Sequence, residues 1–406
     1  MVLQRDDHRG QAVLNFGLDD VVYLTSAAGS AALAVVDALP LTDRVADIAA
    51  VRAQFGYRTP ALVETVLLRR RAADKLPGTG DWLFTDEALQ QASAAPVAAH
   101  RARRLAEVLT DGPGSTVHDA TCSIGTELAA LRDTAARVVG SDVDPVRLAM
   151  ARHNVGAAVD LCRADARYPV TRDATVVVDP ARRRGGRRRF DPRDYQPGLD
   201  QLLDVYHGRN LVVKCAPGID FDAVRHFGFD GEIEVTSWRG SVREACLWTA
   251  GLAEPGVRRR ASILDRGEQI TDGEPHDCPV RSAGRWIIDP DGAVVRAGLV
   301  RHYAARHGLW QLDPDIAYLS GDRLPIGVRG FEVLAQLAFD ERRLRQALAR
   351  LDCGSLEILV RGVDVDPDAL RRRLRLRGSQ PLSVVITRIG SRPAGSATVY
   401  VCRSSR

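Results

Sequence analysis

Short apolar runs and amphipathic stretches alternate through the middle of this chain. Residues 117–126, V-H-D-A-T-C-S-I-G-T, read as an apolar strand end, an acid at Asp119, and a turn of small residues at Thr121, Ser123 and Gly125. An amphipathic helix follows over 127–132. The unit then repeats. Residues 137–144 give a second strand ending in acid and 145–154 a second helix, and 159–165 and 174–179 give third and fourth strands that again close on aspartate. Strands alternating with helices predict a parallel sheet. Acids at the strand ends make its carboxyl edge polar, and that edge is where open α/β sheets bind ligands. A turn of small residues before a helix lets backbone N–H groups approach such a ligand closely. Residues 210–215 (N-L-V-V-K-C) form a fifth strand, with Lys214 near its end. Two alternating strands, 232–237 and 244–250, follow it.

The flanks carry other patterns. Residues 19–110 read as mostly helical, with apolar positions three and four apart at Leu62, Val63, Val66 and Leu67. Thr85-Asp86-Glu87 is a helix cap, and Arg101, Arg103 and Arg104 are expected on the surface of the helix that follows. Asp111-Gly112-Pro113-Gly114 is a linker into the core. Residues 251–278, rich in Gly, Asp and Arg, read as a linker or irregular connection with one short possible strand, and 291–307 as one capped helix with Val295, Leu299 and Tyr303 on one face. From residue 330 the order is β-α-β-α-β-β, a two-layer α+β domain. Its second helix bears Arg371, Arg372, Arg373, Arg375 and Arg377. Four regions are therefore expected: 1–110 helical, 111–252 the α/β core, 253–325 a linker and connecting helical region, and 326–406 the α+β domain.

Composition changes this picture little. At 406 residues with 45% apolar content, each region can bury a core. A net charge of +4 is mildly basic, and the cations are almost all arginine, since Lys75 and Lys214 are the only lysines. The seven cysteines have no zinc-type spacing, so no metal is expected. The N-terminus lacks an apolar signal region and no apolar run approaches the ~18 residues of a membrane span. A soluble, cytoplasmic protein with no membrane partner is expected. Local charge is more telling: in residues 181–195 six arginines flank Gly185-Gly186 and lead to Phe190 and Tyr195. A basic loop with aromatics on the rim of a site suits a polyanion, arginine taking phosphate and rings taking unstacked bases.

At these residues the chain resembles the class I S-adenosylmethionine-dependent methyltransferases. The resemblance covers about residues 98–250. The family's acid-x-Gly-x-Gly-x-Gly motif falls on Asp119, Thr121, Ser123 and Gly125, with hydroxyl residues in two of the glycine places. The resemblance implies S-adenosylmethionine as cofactor, held by Asp119, Thr121, Cys122, Ser123, Gly125 and Thr126. It places the ribose hydroxyls at Asp142 with Val143 beside it, and the adenine amine at Asp165 with Ala166. The motif that is often Asp/Asn-Pro-Pro-aromatic falls on Asp179-Pro180-Ala181-Arg182, which makes Asp179 and Pro180 the catalytic pair. The last domain resembles the THUMP-like domains of RNA-modifying enzymes. The implied fold is α/β: a Rossmann-like seven-stranded methyltransferase core, an N-terminal helical domain and a C-terminal α+β THUMP-like domain.

The expected activity is methylation of a nucleobase nitrogen in tRNA or rRNA, with Arg182, Arg183, Arg184, Arg187 and Phe190 on the RNA. No cysteine occupies the position of a base-attacking nucleophile, which argues against the covalent route to a pyrimidine carbon. Two alternatives stay open: a small-molecule methyltransferase, and a nucleic-acid-binding protein whose methyltransferase core has decayed. A nicotinamide oxidoreductase fits poorly, because the turn is not Gly-x-Gly-x-x-Gly.

Overall fold

The apolar runs between residues 115 and 250 become the strands of one sheet. They are β1 (Thr116–Asp119), β2 (Arg137–Asp142), β3 (Asp160–Arg163), β4 (Thr175–Val178), β5 (Leu211–Cys215), β6 (Gly231–Trp238) and β7 (Ser241–Thr249). These bounds come from a computed structural model of the protein, which describes residues 3–5, 12–42, 44–109, 115–181, 183–184, 187–188, 191–390 and 396–405. The chain divides into two compact units, Met1–Trp238 with Arg243–Pro255, and Arg239–Val242 with Gly256–Arg406.

In the first unit the strands lie in the order β6-β7-β5-β4-β1-β2-β3. The β1–β5 pairings are parallel and β7 runs antiparallel to β5. Chain order reverses at β1, with β2 on one side and β4 on the other, the switch point at which such sheets bind ligands. Parallel register sets which side chains meet at that edge: Asp119 lies opposite Gly140, and Val178 opposite Val213. Asp179 and Lys214, one residue further on, are therefore neighbours.

Helices before the sheet share its unit. They are α1 (Leu18–Leu24), α2 (Ala27–Asp37), α3 (Arg44–Phe55), α4 (Thr59–Ala72), α5 (Asp86–Gln91) and α6 (Ala95–Val108). The apolar run after residue 20 breaks in two because the Ser26 hydroxyl accepts the Gly29 N–H and starts α2. Thr85 caps α5 by accepting the Ala88 N–H, as its sequence predicts. The apolar faces of these helices, including Leu24, Val36, Leu62 and Leu68, form a core continuous with Ile124 and Met150. Ile124 belongs to the turn after β1, and Met150 to α8 (Pro145–Val155), which follows α7 (Thr126–Leu131). Asn154 fastens the junction, accepting from Leu83 N and donating to the carbonyls of Leu83 and Ile124. Further on come α9 (Leu199–Val205) and α10 (Phe221–His226). No single helix among the described residues is long and apolar enough to cross a membrane. The linker expected at 111–114 lies outside the described residues.

The second unit contains a sheet that neither flanking pattern predicted in full. Residues 330–404 give the expected β-α-β-α-β-β series: Gly330–Ala338, α13 (Glu341–Arg350), Cys353–Arg361, α14 (Pro367–Leu374), Gln380–Ile389 and Ser396–Ser404. Leu344, Leu348, Leu370 and Leu374 pack both helices on one sheet face against Val384 and Ile386, while Val385 and Tyr400 face the other side. The sheet extends beyond them through Trp286–Ile288, Ile316–Gly321 and Trp310–Asp313. Residues read as a connection thus supply strands, and Arg259–Ile263 pairs with Glu268–Thr271 as an antiparallel hairpin. The single helix expected over 291–307 is two, α11 (Gly292–Arg296) and α12 (Val300–His307). Gly298 at φ +72° separates them, a left-handed conformation that ends a helix. Leu299 and Tyr303 are buried as expected, whereas Val294 rather than Val295 faces the core.

Candidate active site

The turn after β1 is shaped by two left-handed residues, Ser123 (φ +49°) and Gly125 (φ +88°). At Gly125 a Cβ would stand 2.8 Å from Val155 Cγ1 in α8, so only glycine fits there. Ser123 bears a left-handed backbone with a side chain, at a cost of about 1–2 kcal/mol. Thr121 has no positive φ and so has no need of glycine. Its hydroxyl accepts the Asp179 N–H at 2.6 Å and ties the turn to the end of β4. The two departures from the family's glycines therefore have different physical standing: one is strained, the other is used as a cross-link.

Carboxyl groups from three strand ends converge beside this turn. Asp142 Oδ2 accepts Ser123 N at 2.9 Å and its Oδ1 accepts Asp144 N at 2.9 Å, which fixes the carboxylate and leaves further lone pairs for hydroxyl donors. Asp165 is held differently, with both oxygens engaged by the Arg167 guanidinium, the closest contact being 2.6 Å. Arg167 is its largest influence and holds this carboxyl below the ordinary range. Asp119 is 2% exposed and accepts only the Thr121 N–H among the described residues. Burial, reinforced by nearby Glu127, pushes it up to about 8. Burial likewise raises the Cys122 thiol well above its usual value, leaving a small apolar wall rather than a nucleophile.

These groups line one cavity of about 540 Å³, within the usual range for small-molecule sites. Its wall includes Asp119, Thr121, Cys122, Ser123, Thr126, Asp142, Val143, Asp165, Ala166 and Asp179, all expected from the sequence. Two of the residues expected to bind cofactor or act in catalysis do not line it. Gly125 serves the turn's geometry, and Pro180 is buried between Asp179 and Ala181. Arg182 and Phe190 lie outside the described residues. For Arg183, Arg184 and Arg187 only the backbone is described, as two short antiparallel strands pairing Arg183 with Arg188 and Arg184 with Arg187. The excursion leaves and returns at one place, since Ala181 and Gln196 exchange both backbone hydrogen bonds at 2.9 Å and both line the cavity.

A buried charge network beneath the cavity was missed from the sequence. Arg101, expected on a helix surface, is 1% exposed. Its Nε and Nη2 each lie 2.8 Å from Glu127, and Nη1 donates to Glu244. Arg104 reaches Glu232 and Glu234 at 2.6 and 2.8 Å, and His100 meets Glu234 at 2.7 Å. One helix thus presents three cationic or polar groups inward to acids that β6 and β7 aim at it. Lys214 sits 2.6 Å from Asp179 and 3.5 Å from Glu127. Burial alone would raise Glu127, but Arg101 and then Lys214 outweigh it and hold the carboxyl at about 2. Burial alone would lower Lys214, yet Asp179 and Glu127 keep its ammonium above the ordinary lysine value. A signal was available: Glu127 and Glu244 interrupt otherwise apolar faces, and buried acids require partners.

Seven strands in this order, with carboxyl groups at or just after the ends of β1, β2 and β3 around a strained turn, define a class I methyltransferase site. The comparisons give the family directly. Two S-adenosylmethionine-dependent methyltransferases of Mycobacterium tuberculosis, from strains H37Rv and CDC 1551, are each 72% identical over 365 residues, covering 88% of this chain and 100% of theirs. The chain belongs to the S-adenosylmethionine-dependent methyltransferases. A crystal structure from Porphyromonas gingivalis W83, titled as a candidate methyltransferase, shares the fold: TM-score 0.68, 20% identity, 86% of this chain and 91% of that one. Residues 328–404 match the family described as THUMP domain-like. The residues present fit S-adenosylmethionine. Ser123 Oγ is buried without a hydrogen-bond partner and Asp119 is a buried carboxyl without a salt bridge, both among the described residues and both in the wall of the cavity.

Proposed function

We propose that the protein methylates a nucleobase nitrogen of tRNA or rRNA in the cytoplasm. The observation that carries this reading is the Ala181–Gln196 bridge, which plants the base of the six-arginine segment on the cavity wall directly after Asp179. Arg147, Arg167 and Arg193 line the same cavity, each salt-bridged to a carboxylate of its own, so it is the arginines of the 182–189 segment that would meet a phosphate backbone as the acceptor approaches. The THUMP domain-like match supports the same substrate class.

On this reading Asp119, Ser123 and Asp142 hold the cofactor. S-adenosylmethionine, when bound, supplies an electrophilic methyl group. The chain's task is then positioning. Asp179 Oδ1 makes no hydrogen bond among the described residues and is free to accept from an acceptor amine, while Oδ2 is held by Lys214. The proton that the acceptor amine would give up on methylation would pass to the Asp179 carboxylate or to water. Pro180, buried and off the cavity wall, keeps the backbone after Asp179 in one conformation.

The test uses a deletion strain of the organism that carries this chain. Mass spectrometry of its tRNA and rRNA nucleosides should lack one base-methylated nucleoside. The purified protein should restore it, transferring label from methyl-labelled cofactor to RNA of the deletion strain. An unchanged nucleoside profile, with label entering the small-molecule fraction instead, would overturn the RNA reading.

A further inference from the structure

We infer that Lys214 is a positioning residue of the methyl-transfer step, holding Asp179 toward the acceptor through a buried relay from Arg101 and Glu127. The inference rests on the reading of Asp179 as the group that meets the acceptor, and it does not depend on which acceptor that is.

The geometry comes from sheet register. Val178 pairs with Val213 in parallel, so Asp179 and Lys214 leave neighbouring strands side by side, and their side chains meet at 2.6 Å. On its other side Lys214 lies opposite Cys246 in β7. Cys246 Sγ accepts from Arg101 at 3.4 Å. Lys214 is 7% exposed, which excludes a lysine reaching out to bulk water along an apolar stem.

A proton-abstracting role is excluded too. An ammonium set between two carboxylates keeps its proton, and its elevated proton affinity agrees with that. Nor is Lys214 needed to neutralise Glu127. That carboxylate already has a bidentate guanidinium from Arg101, and its distance to Lys214, 3.5 Å, is the longer of the two contacts the ammonium makes. What remains for the ammonium is Asp179. Without it, Asp179 would have no cation against it among the described residues, and its carboxylate would be free to turn out to water or to take up a proton. Oδ2 is therefore pinned, Thr121 pins the backbone N–H at 2.6 Å, and Oδ1 is left without a hydrogen bond among the described residues on a side chain that lines the cavity.

Composition adds an independent clue. Lysine survives at two positions in a chain whose other side-chain cations of fixed charge are arginine. At both, the ammonium serves two acceptors from a single atom: Lys75 donates to the Leu89 and Gln90 carbonyls, Lys214 to Asp179 and Glu127. A planar fork presents its donors in fixed directions and does not reproduce a point charge between two acceptors.

The test is a double-mutant cycle on the full chain. Transfer of labelled methyl into total extract of the deletion strain is measured, with RNA and small-molecule fractions counted separately. Cofactor affinity is measured by calorimetry on the same variants. Lys214→Met should lower kcat by about a hundredfold, in the range of a missing acid–base group, with cofactor Kd within about threefold. In an Asp179→Asn background the same change should cost less than about threefold, because the charge that Lys214 acts on has already gone. Lys214→Arg should recover at least about tenfold over Lys214→Met. Should Lys214→Met not fold cooperatively, Lys214→Arg carries the cycle, reducing kcat about fivefold or more when Asp179 is intact and not at all in the Asp179→Asn background. An equal loss in both backgrounds, or a cofactor Kd that rises as kcat falls, overturns the inference. The fraction that takes the label decides the RNA reading separately, since label among small molecules would sink that reading while the variants still decide Lys214.

Discussion

Asp119 shows at the scale of one residue how burial rewrites a side chain's chemistry. Its carboxyl, ordinarily at 3.8, is pushed to about 8 by burial and then by Glu127. The folded chain therefore keeps a proton that the unfolded chain releases above about pH 4. With the folded value above the unfolded one, the stabilising contribution is complete below about pH 4 and is lost as pH rises through about 8. Asp119→Asn imitates the protonated acid, keeps an oxygen for the Thr121 N–H, and cannot ionise. Urea denaturation from about pH 5 to pH 8.5 should show the wild type losing stability relative to the variant as pH rises. Parallel curves would mean that Asp119 ionises freely in the fold. A cationic ligand beside this carboxyl works in the opposite direction and draws the proton off, which suits a site for a positively charged cofactor.

At the scale of elements, α6 is the part whose character the tertiary structure changed most. Its sequence carries Val97, Ala98, Ala102 and Leu105 on a buried face, which the apolar spacing shows. The same helix buries His100 and Arg101. A helix reading treats arginine as outward-facing, since a buried guanidinium is costly unless paired. The partners come from elsewhere: Glu127 from α7 and Glu244 from β7, respectively 26 and 143 residues along the chain from Arg101. Breaking a buried pair by removing one partner leaves the others uncompensated. Arg101→Met is thus expected to destabilise the first unit by about 3–5 kcal/mol, read as a fall in denaturation midpoint, with Arg101→Lys intermediate. A loss below about 1 kcal/mol would place the network in the weak class of exposed pairs. In the second unit the reverse holds. The arginines of α14 read as one basic face, but Arg371 donates to the Leu356 carbonyl and to Asp368, and Arg373 pairs with Glu341. Arg372, Arg375 and Arg377 are exposed and make no side-chain hydrogen bond among the described residues.

For the whole molecule, the two units bring distinct resources to one chain: a cavity with buried carboxylates in the first, a THUMP domain-like sheet in the second. If RNA is the substrate, its affinity is governed largely by phosphate neutralisation and falls with salt. Changing Arg183, Arg184 and Arg187 together to alanine should flatten the log–log salt dependence of binding to total tRNA by up to about three units, at ~0.7–0.9 for each phosphate no longer neutralised. Filter binding across a salt series measures this. An unaltered slope would leave the six-arginine segment as a solvated surface and shift the phosphate footprint to the second unit.

Local pattern determined the strand order of residues 115–250 with the first two helices between those strands, and the β-α-β-α-β-β order of 330–404, because period-two and period-3.6 alternation are properties of neighbouring residues. Helices α9 and α10 were not read from it. It also located the acids at the strand ends, since Asp119, Asp142 and Asp179 each close an apolar run. What it left open was decided by partners distant in sequence. Arg101 turned inward because Glu127 and Glu244 await it, and Thr121 proved useful because Asp179 N–H lies within its reach. Residues 286–288, 310–313 and 316–321 became strands because a neighbouring sheet edge offered hydrogen bonds that their own composition did not advertise. Lys214 is the clearest case: at the end of an apolar strand it is an ordinary cation, and only parallel register sets it against Asp179, where its charge acts on the site.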